Sequence, residues 1–376
     1  MRSLLILTIV ILSIPCLGQS NDFKNISPII SKIPKSKTIS TESIANYIKS
    51  NLKHPEDQLK GAFYWTATNI DYAVEDLNRD LLYESNQALL NDALRNKRGV
   101  CQAFAEIFNE LALKLGFDSY LISGYSRQNG HVINSSGHAW NAVKINENWY
   151  LFDPTWAGGY FEVTRSNSNL NKSNYVKKFS PEYYKVKPSE FIKTHMPFDP
   201  IWQLSENIIS YHNFDQSRFD NASVVLSNYK DLIEKLPYLT EVNKSQNEIN
   251  RIQLLGRGNN LVQNQLELLS RNLQIHLDNL EGDKFNQAME IELNAIELYN
   301  TYVNEFNKAT KKKNTKELTQ ILDRSYKLAT KAEQELDEID TKNKTLQLNL
   351  KIRKSEIAEL YKKIAHEKDY LKKHLE

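Results

Sequence analysis

The chain has 376 residues, 40% of them hydrophobic and 25% charged, and a formal net charge of +2. That length suggests about two domains and allows a sizeable buried core. The near-neutral charge leaves no electrostatic footprint for nucleic acid, so no nucleic-acid partner is expected.

Residues 1–18 read as an export signal. Arg2 supplies a positive start, and the run from Leu4 to Ile14 is apolar but too short to span a bilayer. Cys16-Leu17-Gly18 places small residues where a signal peptidase cuts, before Gln19. A secreted or periplasmic protein without a stable membrane span is expected. The rival reading is a lipoprotein signal with Cys16 lipidated, against which the preceding Pro15 argues; an uncleaved anchor is a third. After cleavage Cys101 is the one cysteine left, so no internal disulfide can form.

Residues 19–39 are polar, contain Pro28 and Pro34, and read as a leader or linker. A first domain is expected over residues 40–213. Its first helix opens at Thr41-Glu42 after Ser40, with Ile44, Tyr47 and Ile48 on one face. Pro55 starts the next, with Glu56-Asp57 in its first turn and Leu59, Ala62, Phe63, Thr66 and Ile70 along one side. Residues 86–94 form a third helix, which delivers the chain to Lys97-Arg98-Gly99-Val100-Cys101. Gly99 is read as making a tight turn there. Phe104, Phe108, Leu111 and Leu115 then recur at helical spacing, and Gly116 is placed as a stop. Cys101 therefore sits in a first helical turn, where free N–H groups and the helix dipole favour a thiolate. The bland alternative is a buried cysteine acting as a small hydrophobe.

After Gly116 the period changes. Residues 117–125 read as a strand, 126–136 as a polar loop, 137–145 as a strand, Asn146-Glu147-Asn148 as a turn, and 149–153 as the returning strand, stopped by Pro154. In this antiparallel hairpin an even-length loop puts His138 and Asp153 on one face. A two-residue loop at Glu147-Asn148 leaves them offset, a four-residue loop from Lys144 to Glu147 sets them opposite, and an odd loop separates them. Residues 157–180 read as a long loop or irregular hairpin. Tyr183 to Val186 is a further strand candidate, and the segment from Phe191 to Trp202 reads as packed back on the domain.

From about Asp215 the character shifts, and a helical domain is expected over residues 214–376. There is no proline after Pro237. Asn314 with Glu317 resembles a capping box, followed by Leu318, Ile321, Leu322, Leu328, Ala329, Ala332, Leu336 and Ile339. Leu350, Ile357, Ile364 and Leu371 recur every seven residues, with Leu346 and Leu360 between. Long antiparallel helices in a bundle or coiled-coil-like hairpins are predicted. Lys308, Lys311, Lys312, Lys313 and Lys316 read as a solvated inter-helix loop rather than a site for an anionic surface.

The constellation that carries chemistry is Cys101, His138 and Asp153. A thiol nucleophile needs a base, and the imidazole needs a third group to fix its tautomer. Lys97-Arg98-Gly99-Val100-Cys101-Gln102, Gly137-His138-Ala139-Trp140-Asn141 and Asp153-Pro154-Thr155-Trp156 resemble the three signature blocks of the transglutaminase-like superfamily. Trp65 with Asn69-Ile70-Asp71-Tyr72 is similar to the branch that includes kyphoscoliosis peptidase and bacterial relatives, and the segment from Phe191 to Trp202 is similar to a downstream block of that branch. The resemblance covers roughly residues 40–212. It implies an α+β, papain-like fold, a nucleophile helix against an antiparallel sheet, followed here by the all-α part. It also implies acyl chemistry on amides, with Cys101 as nucleophile, His138 as base and acid, and Asp153 as orienter.

Around that set, Trp65 could donate its indole N–H to an oxyanion but reads equally as core; the backbone N–H of Cys101 is the simpler donor. Gln102 could assist or face solvent. Trp140 and Trp156 could line an acyl groove or be core. His131 reads as a surface residue and His195 as structural. No metal and no cofactor is expected, and no acidic loop suggests calcium sites. The expected substrate is a protein or peptide, a cell-wall peptide included. The alternative function is a binding or scaffold module whose C-terminal helices dock a partner or a second copy.

Overall fold

The computed structural model describes residues 23–76, 83–128, 130–133, 137–161, 175–220, 224–226, 228–308 and 314–374. The expected export signal, Cys16, and Lys311, Lys312 and Lys313 lie outside the described residues. The chain forms two compact units: residues up to 238 with 247–267, and residues 239–246 with 268–376. The first is α+β and the second all-α.

In the first unit the helix Cys101–Lys114 is the central element, with Ala103, Phe104, Ile107, Phe108, Leu111 and Ala112 all buried. Helices Thr41–Asn51, Pro55–Asn69 and Asn86–Asn96 pack on it. Two of them start on serine caps: Ser40 Oγ accepts from the Ser43 N–H, and Ser85 Oγ from the Ala88 N–H. Gly116, at φ +92°, ends the Cys101 helix.

The turn before Cys101 differs from the expectation. Its left-handed residue is Lys97, at φ 51° and ψ 38°, which closes the preceding helix. Gly99 is required for closeness instead: a Cβ there would stand 2.4 Å from the Ala103 Cβ. Residues 23–39, read from sequence as part of a leader, also do more than link. Phe23, Ile26 and Ile30 are buried in the same core as Phe63 and Phe108.

Five antiparallel strands make the sheet: Ser119–Gln128, His131–Val132, His138–Ile145, Asn148–Phe152 and His195–Pro197. Ser119–Gln128 pairs with three of them, and His195–Pro197 docks on it through Ser126↔His195 to Gly124↔Pro197. Gly124 permits that docking, because a Cβ there would lie 2.2 Å from the Met196 carbonyl oxygen. Val143, Ile145 and Phe152 join the helical core, whereas Ile122, Trp140, Ala142 and Leu151 form a second cluster with Phe191, Ile201 and Trp202.

The central hairpin closes through a two-residue loop, Asn146-Glu147, between paired Ile145 and Asn148. Both loop residues have positive φ, 48° and 63°, as a type I′ turn requires. This register lies between the two expected alternatives. His138 and Asp153 share a face, offset by one side-chain repeat rather than directly opposite.

The expected strand from Tyr183 to Val186 is mostly a turn. Ser180 caps a 3-10 turn over Pro181–Tyr183, and Val186 alone pairs, with Leu151. The expected loop after residue 157 begins and ends as a short hairpin, Gly159–Phe161 against Tyr175–Lys177; residues 162–174 lie outside the described set.

The segment after His195 fastens this unit to its own later helical residues. Asp199 is bound bidentately by Arg251, at 2.7 and 2.6 Å. Gln203 donates to the Ile209 carbonyl and accepts from its N–H, both at 2.8 Å.

In the second unit, helices Thr315–Asp337 and Lys344–His374 pack with the later part of helix Asn260–Asn307. Asn314 caps its helix, accepting from the Glu317 N–H at 3.2 Å. Leu350, Ile357, Ile364 and Leu371 are all buried, as the seven-residue spacing requires. Glu292 is buried in this bundle with both carboxylate oxygens lacking a hydrogen bond and Arg353 3.8 Å away; burial raises its pKa. No described helix is long and apolar enough to cross a membrane.

Candidate active site

Cys101 is the first residue of its helix, with extended Val100 as N-cap, and is a half-buried free thiol. Its own backbone N–H is one of the donors that a helix start leaves without an intrahelical acceptor. His138 begins its strand, and Asp153 follows the returning strand. Asp153 is not itself in the strand: it caps the short helix Pro154–Gly158, as Asp before Pro commonly does. The fold brings all three together.

His138 Nε2 lies 2.7 Å from Asp153 Oδ2. The Cys101 thiol is near enough to the same imidazole to raise its pKa, and with Nε2 engaged by Asp153 the nitrogen left to face sulfur is Nδ1. Asn141, three residues along the strand from the histidine, donates to the Ala105 carbonyl at 3.0 Å. That bond ties the His138 strand to the Cys101 helix.

Asp153 is fully buried and fully used. Oδ1 accepts from the N–H groups of Thr155 and Trp156, at 2.8 and 3.0 Å. Oδ2 accepts from His138 and also from His195 Nε2, at 3.1 Å. His195, assigned a structural role from sequence, therefore belongs to the site. It is buried, stacks on Phe191 at 4.0 Å between ring centroids, and has its Nδ1 2.8 Å from Thr194 Oγ1.

The electrostatics separate the two imidazoles. Burial opposes a charge on His138, but the Asp153 charge, the Asp153 hydrogen bond and the contact with Cys101 outweigh it and push the pKa up to about 10. For His195 burial wins, and its pKa falls to about 4. Burial works against ionised Asp153 too, yet His138 and then His195 hold the carboxyl well below the usual range.

Trp140 and Trp156 both stand by the site, with ring centroids 5.9 and 5.7 Å from that of His138. Trp140 is buried and its Nε1 has no partner, so it serves as core and wall at once. Trp65 lies in the helical core with the Lys97 ammonium over its ring, and its buried Nε1 has no partner. Gln102 is exposed and lines a cavity of about 610 Å³ beside the helix start, with Asp76, Asp92, Arg98 and Val100. His131 is an exposed residue of a short strand. Tyr72 is close enough to Cys101 and Asp153 for their charges, after burial, to raise its pKa.

His138, Asp153 and His195 are also the group, among the described residues, whose ligand atoms lie near enough to share a cation. Ligands on a tetrahedral zinc, with bonds of about 2.0–2.1 Å, stand about 3.3 Å apart. The 2.7 and 3.1 Å separations here are tighter, and both ring nitrogens bond the same oxygen. Protons fit these gaps.

A helix-borne thiol facing a histidine and a buried carboxylate on an antiparallel sheet defines a papain-like class of fold. Residues 42–154 match the family model of the transglutaminase-like superfamily, and this part of the chain is a transglutaminase-like domain. The chain is similar to kyphoscoliosis peptidase of Mus musculus, 27% identical over 172 residues, and of Homo sapiens, 24% identical over 174. Each match covers 44% of this chain, which spans about a quarter of those relatives' length, 24%. A solved structure described as a TGase matches at 19% identity, over 40% of each chain, with a TM-score of 0.26.

Proposed function

We propose that this protein is an exported cysteine-dependent acyl enzyme that acts on peptide or side-chain amide bonds. The observation that carries the reading is the convergence of three side chains: His138 lies 2.7 Å from Asp153, and the Cys101 thiol is near enough to the same imidazole to raise its pKa. His138 takes the thiol proton, and the thiolate attacks an amide carbonyl. The negative oxygen of the tetrahedral intermediate meets the backbone N–H of Cys101. The imidazolium then protonates the leaving amine, the C–N bond breaks, and a thioester remains on sulfur. Water or an amine resolves it. The peptidase name of the curated relatives supports water as the acceptor. Export rests on the sequence of residues 1–18, and it makes extracellular protein or cell-wall peptide the substrate class.

The test is alkylation of Cys101 by iodoacetamide at pH 6, with Cys101→Ala as the blank. An activated thiolate labels at least about tenfold faster than a free thiol of ordinary pKa. Labelling at the free-thiol rate overturns the reading.

A further inference from the structure

We propose that His195 is a positioning residue of this site, an N–H donor that holds the Asp153 carboxylate aimed at His138. The inference rests on the proposed thiol chemistry and adds a fourth residue to it.

The argument starts from Asp153 Oδ2. One oxygen accepts from two imidazoles, His138 at 2.7 Å and His195 at 3.1 Å. During turnover His138 must gain and lose a proton. A second histidine able to do the same would compete for the charge of Asp153. Its surroundings prevent that. His195 is buried on an aromatic wall: Phe191 at 4.0 Å, Trp156 at 4.5 Å, Trp140 at 5.2 Å and Tyr183 at 6.4 Å, centroid to centroid. The charged or titratable groups facing it are Asp153 and, across that carboxylate, His138 and Tyr183. Burial there favours the neutral ring.

Which nitrogen carries the proton is also set. The Thr194 hydroxyl stands 2.8 Å from Nδ1. An ionised carboxylate only accepts, so the contact with Asp153 puts the hydrogen on Nε2 and leaves Nδ1 as the acceptor; the Thr194 hydroxyl, which also lies 3.3 Å from the Phe191 carbonyl oxygen, is the donor within its reach. Together with the two backbone N–H groups on Oδ1, this fixes the carboxylate in plane and rotation. His195 reaches the site on a strand that pairs with Ser119–Gln128 where Gly124 leaves room, so the donor is held by backbone as well as by stacking.

The test is the acid limb of the pH profile for Cys101 alkylation. Loss of one donor makes the buried carboxylate harder to ionise, so His195→Leu moves the limb up by about one pH unit. His195→Gln, whose amide can supply an N–H at the same reach, restores it. Thr194→Val keeps the ring, removes the hydroxyl that supports the Nε2–H form from Nδ1 and moves the limb in the same direction, which covers a His195→Leu chain that fails to fold. A merely structural role would lower thermal stability and leave the limb in place. An unmoved limb in folded variants, or equal shifts in Leu and Gln, overturns the proposal. Nitrogen-15 NMR of histidine-labelled protein reads the same point without activity: a neutral Nε2–H ring from pH 5 to 8 supports the proposal, and a charged or Nδ1–H ring sinks it. That arm separates the two failures, because an unreactive Cys101 would discard the enzyme reading and leave the NMR result to judge His195.

Discussion

The side-chain amide of Asn141 donates to the carbonyl oxygen of Ala105 at 3.0 Å, one turn into the helix that Cys101 begins. Asn141 is fully buried, so its N–H has no water to fall back on. The bond joins two elements that carry the thiol and the imidazole separately. Asn141→Leu is expected to cost about 1–3 kcal/mol in urea unfolding. It should also slow Cys101 alkylation more than it lowers stability, because the strand and helix lose their fixed spacing. Equal labelling in a destabilised variant would show the bond to be scaffolding only.

Two glycines at the ends of the Cys101 helix should respond differently to alanine. At Gly99 the new Cβ would meet Ala103 at 2.4 Å, so the helix start has to move. Gly99→Ala is expected to depress alkylation of Cys101 by tenfold or more. At Gly116 nothing lies within 4 Å of the new Cβ, but φ is +92°. Gly116→Ala should cost about 1–2 kcal/mol of stability and leave labelling unchanged.

The two imidazoles on Asp153 oppose each other in the dependence of stability on pH. His138 is held above its ordinary 6.5, at about 10, so its contribution is complete below 6.5 and fades as pH rises toward 10. His195 is held below 6.5, at about 4, so its contribution is complete above 6.5 and fades as pH falls toward 4. Asp153, held below its ordinary 3.8, contributes above that pH and loses its contribution in stronger acid. Urea midpoints are therefore expected to peak at about pH 6–7 and to decline on both sides. A midpoint that rises steadily to about pH 9 would contradict the assignment of His138.

Buried charge is handled in opposite ways in the two units. Asp199 and Arg251 are 8% and 11% exposed and share a bidentate pair. Arg251→Ala strands the carboxylate and is expected to cost about 3–5 kcal/mol. The double change with Asp199→Ala should cost less than the sum. Glu292, 1% exposed with no hydrogen bond to either oxygen, is the reverse case. Glu292→Met is expected to stabilise the helical unit by about 1–3 kcal/mol, read as a higher thermal midpoint.

Much of the site was legible because its parts carry local signals. Phe104, Phe108 and Leu111 announce a helix, and that fixes Cys101 at its start. The alternation around His138 announces a strand. The register of the hairpin was less legible, since Asn146-Glu147-Asn148 holds no glycine to mark which pair takes positive φ. Asp153 as a helix cap could have been found from Asp-Pro-Thr. His195 could not be placed from its neighbours. It arrives on a separate strand 42 residues beyond Asp153; the segment from Phe191 to Trp202 reads as packed back on the domain, but nothing local in it names Gly124 as the place where it docks.

Phe23, Ile26 and Ile30 carry a practical consequence. These side chains plug the same interior as Phe63 and Phe108, so the boundary for any trimmed version of this protein falls before residue 23, well ahead of the first long helix. A recombinant form starting at Thr41, where a boundary drawn by eye would fall, would expose the floor of that interior to solvent. It would be expected to accumulate as insoluble material however intact its cysteine and histidines.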